Sequence, residues 1–229
     1  MRIGYLVRHG QASFGKKDYD ALSDLGHLQS RVLGRELAYR EIRPDLIIRG
    51  ELRRHRETAE GIIEGLELDV PVEVDPGWDE FDFQHVVEVF KPLYRSRTLM
   101  VADLARTRHP KAAFQAVFED ATARWIGGGF DGEYAESFPA FTSRVEGALA
   151  RMAERGSEKG TVLVVSSGGP IGLAASLMLA GDASLWGSLN RVAVNTGVTK
   201  VINGRSGLNL SSYNSHTHVE HDRELLTYR

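Results

Sequence analysis

Arg8-His9-Gly10, the arginine cluster Arg49, Arg53, Arg54 and Arg56, and the loop Ser166-Ser167-Gly168-Gly169-Pro170 carry residue types that can do chemistry. The tripeptide directly follows an apolar run, Ile3 to Val7. A run without alternation reads as a strand buried on both faces, and the loop beyond such a strand is where open α/β sheets hold ligands. Arg8 offers a planar fork for phosphate or carboxylate, His9 can be nucleophile or base, and Gly10 lets the backbone turn sharply away. A salt-bridging arginine beside an ordinary loop histidine accounts for the tripeptide about as well. The arginine cluster precedes Glu57-Thr58-Ala59-Glu60 on a helix, and a solvated face is the usual reason for such a run. That helix starts at the same sheet edge as His9, however, where an anion would feel its N-terminus. One arginine is therefore expected to point inward and the others to face water. The loop at 166–170 enters a helix, so its backbone N–H groups can bind an anion. It lacks the lysine and spacing of a P-loop, and Val165 stands where a nucleophile elbow needs glycine. Glu80, in Gly77-Trp78-Asp79-Glu80-Phe81-Asp82-Phe83, is a candidate general acid, although an acidic solvated loop explains it too.

The elements that must position these residues alternate between strand and helix. Ile3 to Val7 is predicted as a first strand, followed by a helix over 24–40 capped by Ser23. Further strands are expected at 45–48, 71–74 and 161–165, with helices at 52–65, 138–155 and 170–180. Val192 to Ile202 and Leu208 to Tyr213 read as two late strands with a turn at Asn203-Gly204. The pattern predicts an α/β fold: a three-layer α/β/α sandwich whose mostly parallel sheet has an antiparallel edge. The whole chain, 1–229, reads as one domain with a helical insertion at about 83–135. There Tyr94, Phe114, Phe118 and Trp125 are expected to form the insertion's own core. Lys91, Arg95, Arg97, Arg106, Arg108 and Lys111 are expected on a solvated face, with contact to a second anionic group of a substrate as the alternative.

Composition removes several functions. The chain has 229 residues, 28 Lys and Arg against 31 Asp and Glu, 8 His and no Cys, for a net charge of −3. No cysteine means no disulfide framework, no thiolate nucleophile and no Cys-ligated zinc. The slightly acidic balance argues against a nucleic-acid binder that works through bulk charge, and any field attracting an anion must be local. No apolar run is long enough for a signal segment or membrane span, so a cytoplasmic location is the default expectation. The stretch Asn214 to His221 is rich in histidine, but two or three His without a carboxylate partner are a weak metal signal, and no metal is assigned.

Together these pieces resemble the histidine phosphatase superfamily, the phosphoglycerate-mutase-like proteins. Leu6-Val7-Arg8-His9-Gly10-Gln11 is similar to the family's signature. Leu22-Ser23 with Gly26 and Gln29 resembles its first helix, and Leu52, Arg54, Thr58 and Ala59 its second segment, which singles out Arg54. Glu80 falls where the family carries its proton donor, and Val164 to Gly169 where it has a second signature, normally Ser-His-Gly. The resemblance implies in-line attack of His9 on phosphorus, a phosphohistidine, and Glu80 protonating the leaving oxygen. Arg8, Arg54, Gln11, Ser167 and Gly168 would then bind phosphate, with no metal or other cofactor. It implies a phosphorylated small molecule as partner, with neither nucleic acid nor membrane, and leaves a homodimer open.

Two departures stand out. Ser167 replaces the second histidine, keeping a hydroxyl but losing a charge, and one such donor is worth roughly 100- to 1,000-fold in rate. Gly15 stands about where many members carry a phosphate-contacting Asn. A slow phosphohydrolase is the leading expectation. The alternatives are a phospho-ligand-binding pseudoenzyme, a mutase-type phosphotransferase, and, least favoured, a serine hydrolase using Ser167, Asp182 and His218. His218 is a candidate for completing the phosphate pocket, and Ser167→His is expected to raise turnover or tighten phosphate binding.

Overall fold

A computed structural model describes residues 2–13, 20–155, 160–205 and 207–228. The opening apolar run becomes β1 (Arg2–Arg8), followed by α1 (Asp24–Tyr39), β2 (Leu46–Arg49), α2 (Arg53–Leu66) and β3 (Val72–Val74). Beyond a 3-10 turn at Pro76–Trp78 come α3 (Phe83–Phe90), α4 (Arg97–Leu104) and α5 (Pro110–Ile126). The chain continues through α6 (Phe138–Glu154), β4 (Thr161–Ser166), α7 (Gly168–Ala180) and α8 (Trp186–Arg191). It closes with β5 (Val198–Gly204), β6 (Gly207–Ser215) and α9 (Thr217–Glu220). Two compact units result, Met1–Glu80 with Arg144–Arg229, and Phe81–Ser143.

The first unit is built on a sheet of strand order β3-β2-β4-β1-β5-β6. β3, β2, β4 and β1 run parallel, whereas β5 and β6 add an antiparallel edge. Tyr5, Val7, Ile47, Leu163 and Val165 share one face and pack on Leu33 and Leu37 of α1 and Ile62 and Leu66 of α2. Gly4 points to the other face, where Met152 of α6 leaves little room for a side chain. α7, buried from Gly168 through Ser176, is apolar all round, as an enclosed helix must be. Helices on both faces explain why β1 and β4 are continuous apolar runs, and they give the three-layer sandwich that the sequence predicts. Ser23 caps α1 as expected, its Oγ accepting from the Gly26 N–H at 3.0 Å.

Two boundaries differ from expectation. α7 starts at Gly168 instead of 170, because Pro170 lies in the first turn, where a missing N–H leaves no hydrogen bond broken. The expected strand at 192–202 begins only at Val198. Thr196 has φ 59°, outside the strand region. The segment before β5 instead hydrogen-bonds the end of β1 and the C-terminal residues.

The second unit has an aromatic core. Phe81 stacks on Trp125 at 4.8 Å, and Phe138 meets Trp125 edge-on at 5.0 Å. Tyr94 is buried and donates to Asp103 Oδ2, which also takes Lys91 Nζ at 2.6 Å. Phe114, Arg95 and Arg97 line a cavity of about 300 Å³ within this unit. Among the described residues no helix is long and apolar enough to cross a membrane.

His218 of α9 is buried and meets Thr196 Oγ1 at 3.0 Å. Burial, and then the charges of Arg40, His216 and His221, lower its pKa from 6.5 to about 4. Between those values the unfolded chain binds a proton that the folded chain refuses, so stability falls as pH drops through this window. The urea midpoint of the wild type should fall across it, and that of His218→Gln should fall less. Parallel curves would contradict this assignment.

Candidate active site

The residues of the site belong to the first unit and meet beyond the C-terminal ends of β1, β2 and β4. Arg8 pairs with Ser166 across β1 and β4, and the His9 N–H extends the ladder by donating to Ser166 O at 2.8 Å. The His9 carbonyl accepts from Asn195 Nδ2 at 3.0 Å, and the Thr196 N–H donates to Arg8 O at 3.0 Å. Gly10 donates to Thr58 Oγ1 at 3.0 Å, and Thr58 in turn donates to Arg54 O in the first turn of α2. A Cβ on Gly10 would lie 2.5 Å from Gly26 O, so glycine is needed here for close packing on α1, and not for the sharp turn expected from the sequence.

His9 is 7% exposed, and its Nδ1 lies 2.6 Å from Gly10 O. A carbonyl only accepts, so Nδ1 carries the hydrogen and Nε2 keeps the lone pair. Burial first, then the charges of Arg54 and Arg8 and the neighbouring His55, hold its pKa well below the ordinary histidine value. The ring is thus a neutral base with its nucleophilic nitrogen set by the backbone.

The cations around it are individually held. Arg8 donates through Nη1 to Ala193 O and, at 2.9 Å, to Tyr228 O. Arg54 is buried with Nη1 on Asp20 Oδ1 at 2.8 Å, while Arg53 and Arg56 are exposed. It is the inward arginine of the cluster. Gly168 begins α7 where a Cβ would lie 2.6 Å from Asn190 Oδ1 and 3.6 Å from Arg8 Nε. Glu80 Oε2 accepts from the Gly169 N–H at 3.2 Å, so a carboxyl oxygen already lies at the α7 N-terminus. Gln11 ties its loop to α1, its Oε1 accepting from Ser23 Oγ and its N–H donating to Gln29 Oε1, each at 2.8 Å. Gly15 lies outside the described residues.

Ser167 is fully buried, and its Oγ lies 2.8 Å from His55 Nε2. The trio Ser167, Asp182 and His218 does not assemble: Asp182 Oδ1 accepts from the Ser184 N–H at 2.8 Å, and His218 is engaged with Thr196. Nor does His218 complete the phosphate pocket, since it lines a separate cavity of about 170 Å³ beside Tyr5, Arg40 and Lys200. His216 is held by Asn214 O and Glu220, so it does not join His218 on a metal. Among the described residues no three His, Asp or Glu side chains gather to hold a metal ion.

Sequence reading gave no role to His55 or Asp79, and it placed Thr58 only within the stretch resembling the family's second segment. A signal existed for His55: with Thr58, Ala59 and Ile62 it falls at spacing i, i+3, i+4, i+7, the buried face of α2. The surrounding arginines and glutamates masked it.

The model for the histidine phosphatase superfamily, branch 1, matches residues 4–216. A search of the curated proteins gives no match. Solved structures with the same fold include a phosphoserine phosphatase mutant from Entamoeba histolytica in complex with phosphoserine (16% identity, 96% of this chain and 100% of that chain covered, TM-score 0.64). Phosphoglycerate mutase from Bacillus anthracis is similar (18% identity, 95% and 94% covered, TM-score 0.64). So is a mycobacterial glucosyl-3-phosphoglycerate phosphatase (21% identity, 95% and 100% covered, TM-score 0.63).

Nitrogen-detected NMR can read the His9 ring directly. It should show the Nδ1–H tautomer and a titration midpoint well below 6.5, the value it departs from. An ordinary midpoint would contradict the burial and charge argument.

Proposed function

The chain belongs to the histidine phosphatase superfamily, and we propose that it hydrolyses a small phosphomonoester through a phosphohistidine on His9. The observation that carries this reading is the His9 ring, buried, neutral, Nδ1-protonated on the Gly10 carbonyl and within the field of Arg54 and Arg8. Those two charges resist protonation of the ring, and the same field attracts an anionic phosphoryl group. In the first step the Nε2–P bond forms as the bond from phosphorus to the leaving oxygen breaks, and Glu80, which enters the step as the neutral acid, gives that oxygen its proton. In the second, water attacks phosphorus with Glu80 taking its proton, and inorganic phosphate leaves His9 free. Arg8 and Arg54 offset charge on the equatorial oxygens, and the N-terminus of α7 adds partial positive charge. The phosphoserine-bound and glucosyl-3-phosphoglycerate phosphatases among the similar structures support a small phosphorylated substrate.

Incubation with a chromogenic phosphomonoester tests the reading. Wild type should turn over, His9→Ala should not, and Arg54→Ala should lose roughly 100- to 1,000-fold in kcat/KM. Label from a radioactive phosphomonoester should be trapped on His9 as an acid-labile, base-stable adduct. Undiminished hydrolysis by His9→Ala would overturn the proposal.

A further inference from the structure

The site contains a buried histidine that the steps above do not use. His55 is fully enclosed on the inner face of α2, and its ring centroid is 5.8 Å from that of His9. Nε2 lies 2.8 Å from Ser167 Oγ, and on its other side Nδ1 lies 3.6 Å from Asp79 Oδ1. Asp79 is itself fixed: Oδ1 accepts from the Glu51 N–H at 2.7 Å, and its carbonyl accepts from Arg144 Nη1 at 2.8 Å. The chain leaves room for this pair at Gly50, where a Cβ would lie 2.3 Å from both His55 Nδ1 and Asp79 Oδ1. Position 167 thus has a hydroxyl where the family resemblance calls for an imidazole, and an imidazole from α2 meets that hydroxyl at 2.8 Å.

We propose that Asp79, His55 and Ser167 form a relay that turns the Ser167 hydroxyl toward the phosphoryl group as a donor and supplies the positive charge that serine at position 167 lacks. The inference rests on the phosphohistidine reading above. His55 acts through Ser167 and is a positioning residue; Ser167 is the group that meets the phosphoryl oxygen.

The proton bookkeeping is simple. In the empty site His55 is neutral. The Asp79 carboxylate, 3.6 Å from Nδ1 and beyond hydrogen-bond distance, favours a proton on Nδ1 through its charge, so Nε2 accepts and the Ser167 O–H donates to it. The groups facing the ring are Asp79 from the loop before the second unit, Asp20 before α1, Arg54 on α2 and His9 after β1. Burial lowers its pKa, Arg54 acts in the same direction, and Asp79 and Asp20 oppose them. A phosphoryl group arriving between Arg54 and His9 adds negative charge on the side where charge was lacking, which favours the imidazolium. A phosphomonoester monoanion supplies the proton and becomes the dianion. His55 Nε2–H then donates to Ser167 Oγ, and the Ser167 O–H turns to a phosphoryl oxygen. The relay adds one donor and one charge, and no covalent bond changes within it. The same geometry revises the expectation for Ser167→His. With His55 enclosed 2.8 Å from Oγ, a second imidazole has no space, so that single substitution should bring no gain.

Two measurements test the relay. In wild type, inorganic phosphate should shift the His55 ring signals from neutral to imidazolium at constant pH; a ring that stays neutral in saturating phosphate would overturn it. His55→Gln keeps the packing but not the charge. Its kcat should fall by ~100-fold, and it should lose the alkaline decline in kcat that loss of the imidazolium proton produces in wild type. The double variant His55→Ala/Ser167→His, with the imidazole moved to 167, should recover most of that loss, which a purely structural role would not allow. A folded His55→Gln with the kcat and pH profile of wild type would overturn the proposal, as would trapped phosphate on Ser167 in place of His9. Failure of the phosphohistidine reading is distinguishable, because wild type would then form no adduct on His9 at all.

Discussion

The parallel pairing of β1 with β4 is the constraint on which the site depends. Its register sets Arg8 opposite Ser166, and the His9 N–H continues it to Ser166 O. His9 and Ser167 therefore leave the sheet side by side, from strands separated by more than 150 positions in sequence. A slip of one residue would reverse every side chain of β1 between the two helical layers, burying Arg8 among Leu33, Ile62 and their neighbours. The apolar residues on both faces thus fix the geometry of the candidate site as firmly as any contact within it.

Around that edge the protein gathers several basic groups, and it keeps them from disrupting one another by holding each on an acceptor. Arg8 is held by the carbonyls of Ala193 and Tyr228, Arg54 by Asp20, and the Nδ1–H of His9 by its own neighbour's carbonyl. Burial then keeps the histidines neutral while the arginines remain charged. The result is a local positive field in a chain of net charge −3. Composition excluded a globally basic surface but could not locate this field.

Much of the fold was legible because its signals are local. The continuous apolar runs of β1 and β4, the Ser23 cap and the stripe of α1 each depend on residues close in sequence. The segment at 192–197 was misread because Ala193 and Val194 look like strand residues. Its conformation is decided by distant partners, Arg8, His9 and Thr227, and by the positive φ of Thr196. Arg8-His9-Gly10 was readable from type and spacing, and the family resemblance singled out Arg54 from its cluster. His55 was not, because a histidine within Leu52-Arg53-Arg54-His55-Arg56-Glu57 resembles any solvated helix face until the buried side of that helix is known.

By itself the sequence determined the chemistry available: a histidine and arginines at the end of a buried strand, a glycine-rich helix start, no thiol, and a serine at position 167. Those are properties of residue type and short-range pattern, which the chain carries before it folds. Only the tertiary structure decided which groups meet. It set Arg54 on Asp20, took His218 out of the pocket, and brought His55 and Asp79 to Ser167. The reason is that strand register and helix packing bring together residues far apart in the chain, and a charge acquires its role only from the neighbours and the burial that the fold imposes.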